Sequence, residues 1–426
     1  MIKKALTFLY TLPRTFYRIP FLVPYWDSRE LRAMANVALN RKVIDGEYEE
    51  LFVQEFCNLI GVKYGITTNM GRSAIELTLR GLGLGKGDEV ILPTFICRGA
   101  ITPIIKAGCT PILVDIDDDF NISPQSIREH ITEKTRAIIV AHLSGKVAKI
   151  KKIKDIVKNR NIFVIEDACQ ATGAKHNGRY LGTLGDVGIF SFGMGKNMMS
   201  TAGGLLVTNS EALYNHIQNP KIEREHTGEV LRRAAHRVVK FRFRRYTLPL
   251  FIVMSAANNI IRHPGRATYD YRLSKISNMD AALLRIQLGK LEEIIKKRRE
   301  NARILCQRLS QIEDIAIPYF NDEHIFTKFI ITFKRGSKPT RIGLCKEVQR
   351  FTEYLRKASI EVERTYTPLH LRESFQGYCK GRLPYSEYLY WRSITLPVHP
   401  NLGEEDMIYV SKIVKSFFSE RRAEAA

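Results

Sequence analysis

The chain is short of several things, and each shortage excludes something. It has no CxxC pair. Its seven cysteines (Cys57, Cys97, Cys109, Cys169, Cys306, Cys345 and Cys379) are odd in number and scattered, with no histidine at ligand spacing. That argues against a disulfide framework and against any metal site, and it fits a reducing cytoplasm. No run approaches the roughly 18 apolar residues of a membrane-spanning helix. The opening MIKKALTFLYTLPRTFYRIPFLVP is basic and partly apolar. Its apolar run, Ala5 to Tyr10, is short and no small-residue cleavage site follows, so it does not read as a signal peptide.

Acidic residues are scarce as well. Against 66 Lys and Arg there are 44 Asp and Glu, a net charge of +22 that favours nucleic acid, an anionic membrane surface or phosphorylated substrates as partners. The shortage is sharpest from Val230 to Tyr269. There no Asp or Glu occurs, while Arg or Lys stands at 232, 233, 237, 240, 242, 244, 245, 262 and 266 around the apolar stretch TLPLFIVMSAA. KFRFRRYTLPLFIVM is too short to span a bilayer but suits interfacial binding to anionic lipid. A dimer-interface element, or a basic rim drawing in a diphosphate sugar, would have the same composition. Nucleic acid is disfavoured because no DNA- or RNA-binding motif accompanies the charge.

What is present is a patterned apolar framework. With 426 residues and 45% hydrophobic content, the chain can bury a large core in two domains. From about residue 46, helix-like segments such as YEELFVQEFCNLIG and RSAIELTLRGLGL alternate with short apolar runs. The runs are EVILP (89–93), TPILVDI (110–116), AIIVAHL (137–143), NIFVIEDA (161–168), VGIFSF (187–192) and GGLLVT (203–208). In KIKKIKDIVKNR, Ile150, Ile153 and Val157 share a helical face. Alternating buried strands and helices predict an α/β fold with a mostly parallel central sheet, whose ligands bind beyond the carboxyl ends of the strands. We expect an N-terminal segment (1–45) and a large domain (46–275) with the basic, apolar insert at about 226–268. Residues 276–426 then form a linking helix from near Asp280 and a smaller C-terminal α/β domain, with helices at 341–358 and 404–420.

Three segments carry chemistry. In IEDACQATGA (165–174) an apolar strand ends in an acidic pair, which puts Asp167 at the strand's carboxyl end. A strand-terminal Asp that caps a helix would look the same. One strand later, SFGMGKNMMSTAGG (191–204) holds Lys196 between glycines. A loop lysine is most often a solvated charge, but a carboxylate and a lysine after neighbouring strands can reach one planar cofactor. Pyridoxal phosphate (PLP) needs a lysine for its Schiff base and an acidic partner for its ring nitrogen. It also needs a phosphate cradle, and TNMGRSAIEL (68–77) offers Gly71, Arg72 and Ser73 opening a helix, where backbone N–H groups bind anions. An ordinary capped helix start remains the alternative. The cluster GLGLGKGDE (81–89) is a decoy. Gly87 follows Lys86 where a nucleotide P-loop requires Ser or Thr, so it reads as a turn before EVILP.

With these segments in order, the chain resembles the DegT/StrS-type sugar aminotransferases, a fold-type-I PLP family, from about residue 20 to 420. The supporting stretches are GRSAIELTLRGLGLGKGDEVILPTF, IEDACQATGA, GDVGIFSFGMGKN, YRLS, QLGKLEEIIKKRRENA and SITLPVHPNLGEED. The resemblance implies Lys196 as the Schiff-base lysine and general acid–base, Asp167 as the ring-nitrogen partner, and Gln170 beside the phenolic oxygen. It implies Gly71, Arg72 (through its backbone N–H) and Ser191 at the phosphate, with Ser73 adjacent. Cys97 stands where the family often places a stacking aromatic ring. Two departures follow. Thr201-Ala202-Gly203-Gly204 replaces the family's Gly-Glu-Gly-Gly. Asp270 replaces an Asn that reaches the neighbouring subunit's phosphate, with Arg272 nearby as a substitute. Family members that dehydrate a sugar carry histidine in place of the lysine, so Lys196 favours transamination. The resemblance therefore implies amino transfer from glutamate to a nucleotide-linked keto sugar for surface glycan synthesis, by a cytoplasmic homodimer with shared sites. The departures leave a rival: a divergent PLP-fold protein acting as an assembly or regulatory factor at a membrane.

Overall fold

The computed structural model describes residues 17–218, 222–242, 271–337 and 345–425. The strands in chain order begin with β1 Tyr64–Thr68, β2 Glu89–Pro93, β3 Thr110–Val114, β4 Thr135–Ala141 and β5 Phe163–Asp167. They continue with the hairpin β6 Lys175–His176 and β7 Arg179–Tyr180, then β8 Val187–Ser191 and β9 Gly204–Thr208. Seven of them form one sheet in the order β1-β9-β8-β5-β4-β2-β3. From β3 to β8 every pairing is parallel, and β9 alone runs against its neighbours, β8 and β1. The expected mostly parallel sheet is present.

These strands read as continuous apolar runs because helices cover both faces of the sheet. Alternate side chains serve the two sides. Val90, Leu92, Leu113, Ile139 and Ile165 pack with Ile75, Leu79 and Ile101 of the helices Gly71–Gly81 and Arg98–Lys106. Ile91, Ile112, Ile138, Val140 and Val164 pack with Ile127, Ile153 and Ile156 of Pro124–His130 and Ile150–Val157. YGITT (β1) escaped the strand reading because it is half polar. The glycine cluster is a turn as expected, with left-handed backbone at Gly83 and Gly87.

The C-terminal part has its own four-stranded sheet: β10 Ile315–Ala316, β11 Phe329–Phe333, β12 Glu363–Arg364 and β13 Ser393–Leu396, in the order β10-β11-β13-β12. All its pairings are antiparallel. Its core joins Phe329, Ile331 and Phe333 to Phe351, Val414 and Phe418 of the helices Lys346–Lys357 and Glu404–Ala425. The single helix expected from Asp280 is two, Asn278–Gly289 and Leu291–Leu309. The break falls at Gly289, a weak helix former, where the next residue, Lys290, is buried against Glu30 at 2.6 Å and Asp27 at 3.0 Å.

Residues 17–27 run across both parts. Ile19 exchanges backbone hydrogen bonds with Ser359 and Glu361, and His399 Nε2 meets the Pro20 carbonyl at 3.0 Å. The Trp26 indole donates to the Met199 carbonyl at 2.8 Å, tying this segment to the loop that carries Lys196.

Candidate active site

The candidate phosphate cradle is a close approach of backbones. The helix Gly71–Gly81 starts with no side-chain cap from Met70, so its first turn is not the ordinary capped start. A Cβ on Gly71 would stand 2.9 Å from Ser191 Cβ and 3.2 Å from Cys169 Sγ. One on Gly204 would stand 2.4 Å from the Met70 carbonyl carbon. Only glycine lets β9 and the end of β8 approach this helix N-terminus so closely, and a helix N-terminus is where backbone N–H groups bind anions.

Ser73 does not face this opening. Its side chain is fully buried, and its hydroxyl donates to Asn69 Oδ1 at 2.7 Å, so of the two predicted hydroxyls only that of Ser191 stands at the cradle. The Arg72 guanidinium turns aside, 5.4 Å from the centre of the Tyr271 ring, leaving its backbone as the available group.

Asp167 ends β5, paired with Ala141 and Ile189. One carboxylate oxygen accepts from Cys169 N at 3.0 Å, which fixes the side chain in a turn rather than at a helix cap. Strand alternation sends its neighbour Glu166 the other way. Glu166 is buried and takes hydrogen bonds from His142 at 2.9 Å and from the backbone N–H groups of Gly182, Leu184 and Gly185. Burial alone would raise its pKa, but these bonds outweigh it and hold the carboxyl below its ordinary value.

Lys196 is half-buried in the loop between β8 and β9. The next residue anchors it: Asn197 donates to the Thr172 carbonyl at 3.1 Å and accepts from the Thr327 hydroxyl at 3.1 Å. Asp167 and Lys196 flank Cys169, whose thiol is pushed well above its ordinary pKa by burial, with Asp167 adding and Lys196 opposing. Gln170 is buried. Its Oε1 accepts from Ser144 N at 3.0 Å, and its Nε2 donates to the Tyr366 hydroxyl at 3.0 Å. Lys196 and Gln170 line a cavity of about 150 Å³ closed by Phe21, Leu22, Tyr366 and Arg298. The structure therefore brings Gly71, Ser191, Asp167, Gln170 and Lys196 to one end of the sheet, beyond the carboxyl ends of β5 and β8. The chemistry of this set fits PLP: a glycine-tight helix N-terminus for an anion, a carboxylate for a ring nitrogen, an amide and an amine.

Cys97 is exposed, and its sulfur accepts from Gly99 N at 3.4 Å. Among the aromatic rings that line the nearby cavity is that of Tyr366. Tyr366 is half-buried, and its phenol is held well above the ordinary value by burial, with Cys97, Glu363 and Asp167 adding to it. No local motif marks Tyr366, Thr327 or Arg298, and sequence reasoning missed all three.

The TAGG departure now has an account. Asp280, fully buried, accepts from Ser200 Oγ at 3.0 Å, from Thr201 N at 2.9 Å and Oγ1 at 2.5 Å, and from Ala202 N at 3.1 Å. Its other oxygen pairs with Arg233 Nη2 at 2.7 Å. A glutamate at 202 would set a second carboxylate beside Asp280. Burial alone would lower the Arg233 guanidinium, but Glu225 and Asp280 hold it above its ordinary pKa. The insert thus begins as a structural helix, Thr227–Arg242, with Arg233 facing inward. Its remainder and Asp270 lie outside the described residues. Arg272 is engaged within its own chain, donating to Glu223 at 2.6 Å.

Comparison with known proteins agrees. The model of the DegT/DnrJ/EryC1/StrS aminotransferase family matches residues 24–415. GDP-perosamine synthase of Escherichia coli O157:H7 is 31% identical over 407 residues, covering 95% of this chain and 99% of that one. A pleiotropic regulatory protein of Geobacillus stearothermophilus is 30% identical, covering 91% and 94%. Among solved structures, the PLP form of the putative sugar aminotransferase Spr1654 from Streptococcus pneumoniae superposes with a TM-score of 0.76 at 20% identity, covering 95% of this chain and 99% of that one. The E. coli GDP-4-keto-6-deoxy-D-mannose-3-dehydratase reaches 0.74 at 23%, covering 93% and 99%. The chain belongs to the DegT/DnrJ/EryC1/StrS aminotransferase family and is a PLP-dependent aminotransferase.

Proposed function

We propose that the chain moves the amino group of glutamate to a nucleotide-linked keto sugar that feeds surface glycan assembly. The observation that carries this reading is Lys196, a lysine and not a histidine, standing with Asp167 and Gln170 beyond the strand ends. The similarity to a protein named GDP-perosamine synthase supports the nucleotide-linked sugar.

Bound PLP supplies an electron sink for the carbanion formed when the donor loses its α-proton. The chain's own groups do the rest. Lys196 Nζ would hold the cofactor at rest and, once free, would serve as the base for the donor's α-proton and as the acid that delivers it to the cofactor carbon. The Asp167 carboxylate keeps the ring nitrogen protonated, through a charge-assisted bond worth roughly 1.5–3 kcal/mol. Gln170, locked between Ser144 and Tyr366, has a fixed orientation and would stand beside the cofactor's ring oxygen. Gly71, Ser191 and the first turn of the helix hold the phosphate.

The reading includes a cytoplasmic homodimer with shared sites and contact with anionic membrane through the basic insert. The rival reading of a regulatory factor rested on the TAGG and Asp270 departures. Asp280 accounts for the first, and Asp270 lies outside the described residues.

The purified protein should show a visible absorbance band that bleaches on adding glutamate, and isotope-labelled glutamate should transfer label to one of a panel of keto-sugar nucleotides. A Lys196→Ala variant that still completes turnover would refute the reading. Folded protein that binds no PLP would favour the regulatory one.

A further inference from the structure

Arg298 lies in the helix Leu291–Leu309 and is only 2% exposed. Its one hydrogen bond runs from Nη1 to the Thr327 carbonyl at 3.1 Å, and its Nε has no partner. No carboxylate among the described residues pairs with it. Burial alone pulls its pKa down to about 10, with no neighbouring charge to offset the effect. The contrast with Lys290, eight residues earlier in the chain, is direct. That cation is equally buried, but it has Glu30 at 2.6 Å and Asp27 at 3.0 Å. A buried, uncompensated guanidinium is costly, and such groups persist where an anion completes them.

The position of Arg298 says which anion. It lines the cavity of about 150 Å³ that also holds Lys196, Gln170, Tyr366 and Lys328. Lys328 is already paired with Glu363 at 2.7 Å. Gly71 and Ser191 are not part of this lining, so Arg298 stands away from the phosphate cradle. A volume of about 150 Å³ admits an amino-acid carboxylate. The guanidinium fork matches a planar carboxylate with two parallel hydrogen bonds.

We propose that Arg298 receives a carboxylate of the amino donor, setting the donor's amine toward Lys196. This rests on the transaminase reading above and adds the group that selects an amino acid as donor. Arg298 binds and orients; it moves no proton. The contact between Nη1 and Thr327 reinforces the site, because the Thr327 hydroxyl also bonds the Gln170 carbonyl at 2.6 Å and Asn197 at 3.1 Å.

The test uses full-length, PLP-loaded protein and the variants Arg298→Lys and Arg298→Gln. The donor half-reaction is followed by bleaching across a range of glutamate concentrations. The second half-reaction is followed with the aminated cofactor form and a keto-sugar nucleotide. The glutamate concentration for half-maximal rate should rise roughly 10- to 100-fold in Arg298→Gln, as expected for losing a charged hydrogen-bonded pair. Arg298→Lys should fall between, and the sugar half-reaction should stay within twofold of wild type. A separate calorimetric titration of cofactor-free protein with 2-oxoglutarate, maleate and pyruvate should weaken by a similar factor. Glutamate dependence within twofold of wild type in a variant of unchanged melting temperature overturns the proposal. So does an equal fall in both half-reactions, which would make Arg298 a strut for Thr327. If glutamate fails to bleach wild type, the donor reading fails instead, and the calorimetry decides Arg298 separately. Carboxylate binding unchanged in Arg298→Gln, or absent from wild type, overturns the proposal.

Discussion

Replacing Gly71 with alanine tests the phosphate cradle directly. The added Cβ would stand 2.9 Å from Ser191 Cβ and 3.2 Å from Cys169 Sγ, inside the usual carbon contact distance of roughly 3.5–4.0 Å. Ser191 cannot easily retreat, because it is in register with Gly204 in the ladder of β8 and β9. Two effects on folding then oppose each other. Alanine favours the helix by about 0.5–1 kcal/mol over glycine, and overpacking costs about 1–3 kcal/mol. The net loss of stability should stay below about 2.5 kcal/mol, leaving the variant folded. Cofactor binding should suffer more. Forcing Ser191 and the helix N-terminus apart would cost a phosphate held there at least one charged hydrogen bond, worth about 1.5–3 kcal/mol, or roughly 10- to 150-fold in affinity. Titration of cofactor-free protein with PLP, followed by absorbance and paired with a thermal melt, measures both quantities. A folded Gly71→Ala protein with PLP affinity within twofold of wild type would show that the phosphate is held elsewhere.

Asp280→Ala removes the buried acceptor shared by the Ser200–Ala202 turn and the part-buried Arg233, leaving several buried donors and half of that cation unpaired, so a loss of roughly 3–5 kcal/mol in chemical denaturation is expected; a loss under 1 kcal/mol would dismiss the hub. His324 is buried against Phe326, with its Nε2 on the Ser144 carbonyl at 3.2 Å, and burial lowers its pKa to about 3. The unfolded chain therefore binds the extra proton between about pH 6.5 and 3, and stability falls as pH falls through that window by up to about 1.4 kcal/mol per unit from this group. His324→Asn should flatten the slope of stability between pH 6 and 4 by that amount, and an unaltered slope would show that the ring takes up its proton while folded. Anionic liposomes should co-sediment the protein in low salt. Deleting residues 243–266, which spares Arg233, should abolish this, and undiminished binding would end the membrane reading.

The large sheet was legible because its strands are buried on both faces and so appear as unbroken apolar runs. Only β1, with its threonines, and the reversed direction of β9 were not. Asp167 could be found because strand alternation and an apolar run ending in acid are local signals. Lys196 had no local signal strong enough and became readable only beside Asp167. The face presented by Ser73 could not be read, since a hydroxyl on the first turn can point to ligand or to Asn69 with the same sequence. Tyr366, Thr327 and Asp280 were invisible for another reason. Each meets the site through contacts more than 75 residues distant in sequence, no spacing rule covers those, and Arg298 joins the site only through Thr327. The direction of the small sheet was missed because two of its strands are only two residues long.

The segment 17–27 has a practical consequence. Phe21 and Leu22 form one wall of the cavity, yet they belong to neither sheet and are held from both sides by backbone and indole hydrogen bonds. That wall can be re-cut without disturbing the strand that ends in Asp167. Exchanging Phe21 or Leu22 for smaller or polar residues is the route by which the donor end of the cavity could be reshaped while the catalytic frame stays as it is. The same placement makes the carboxyl terminus the safer end for a purification tag.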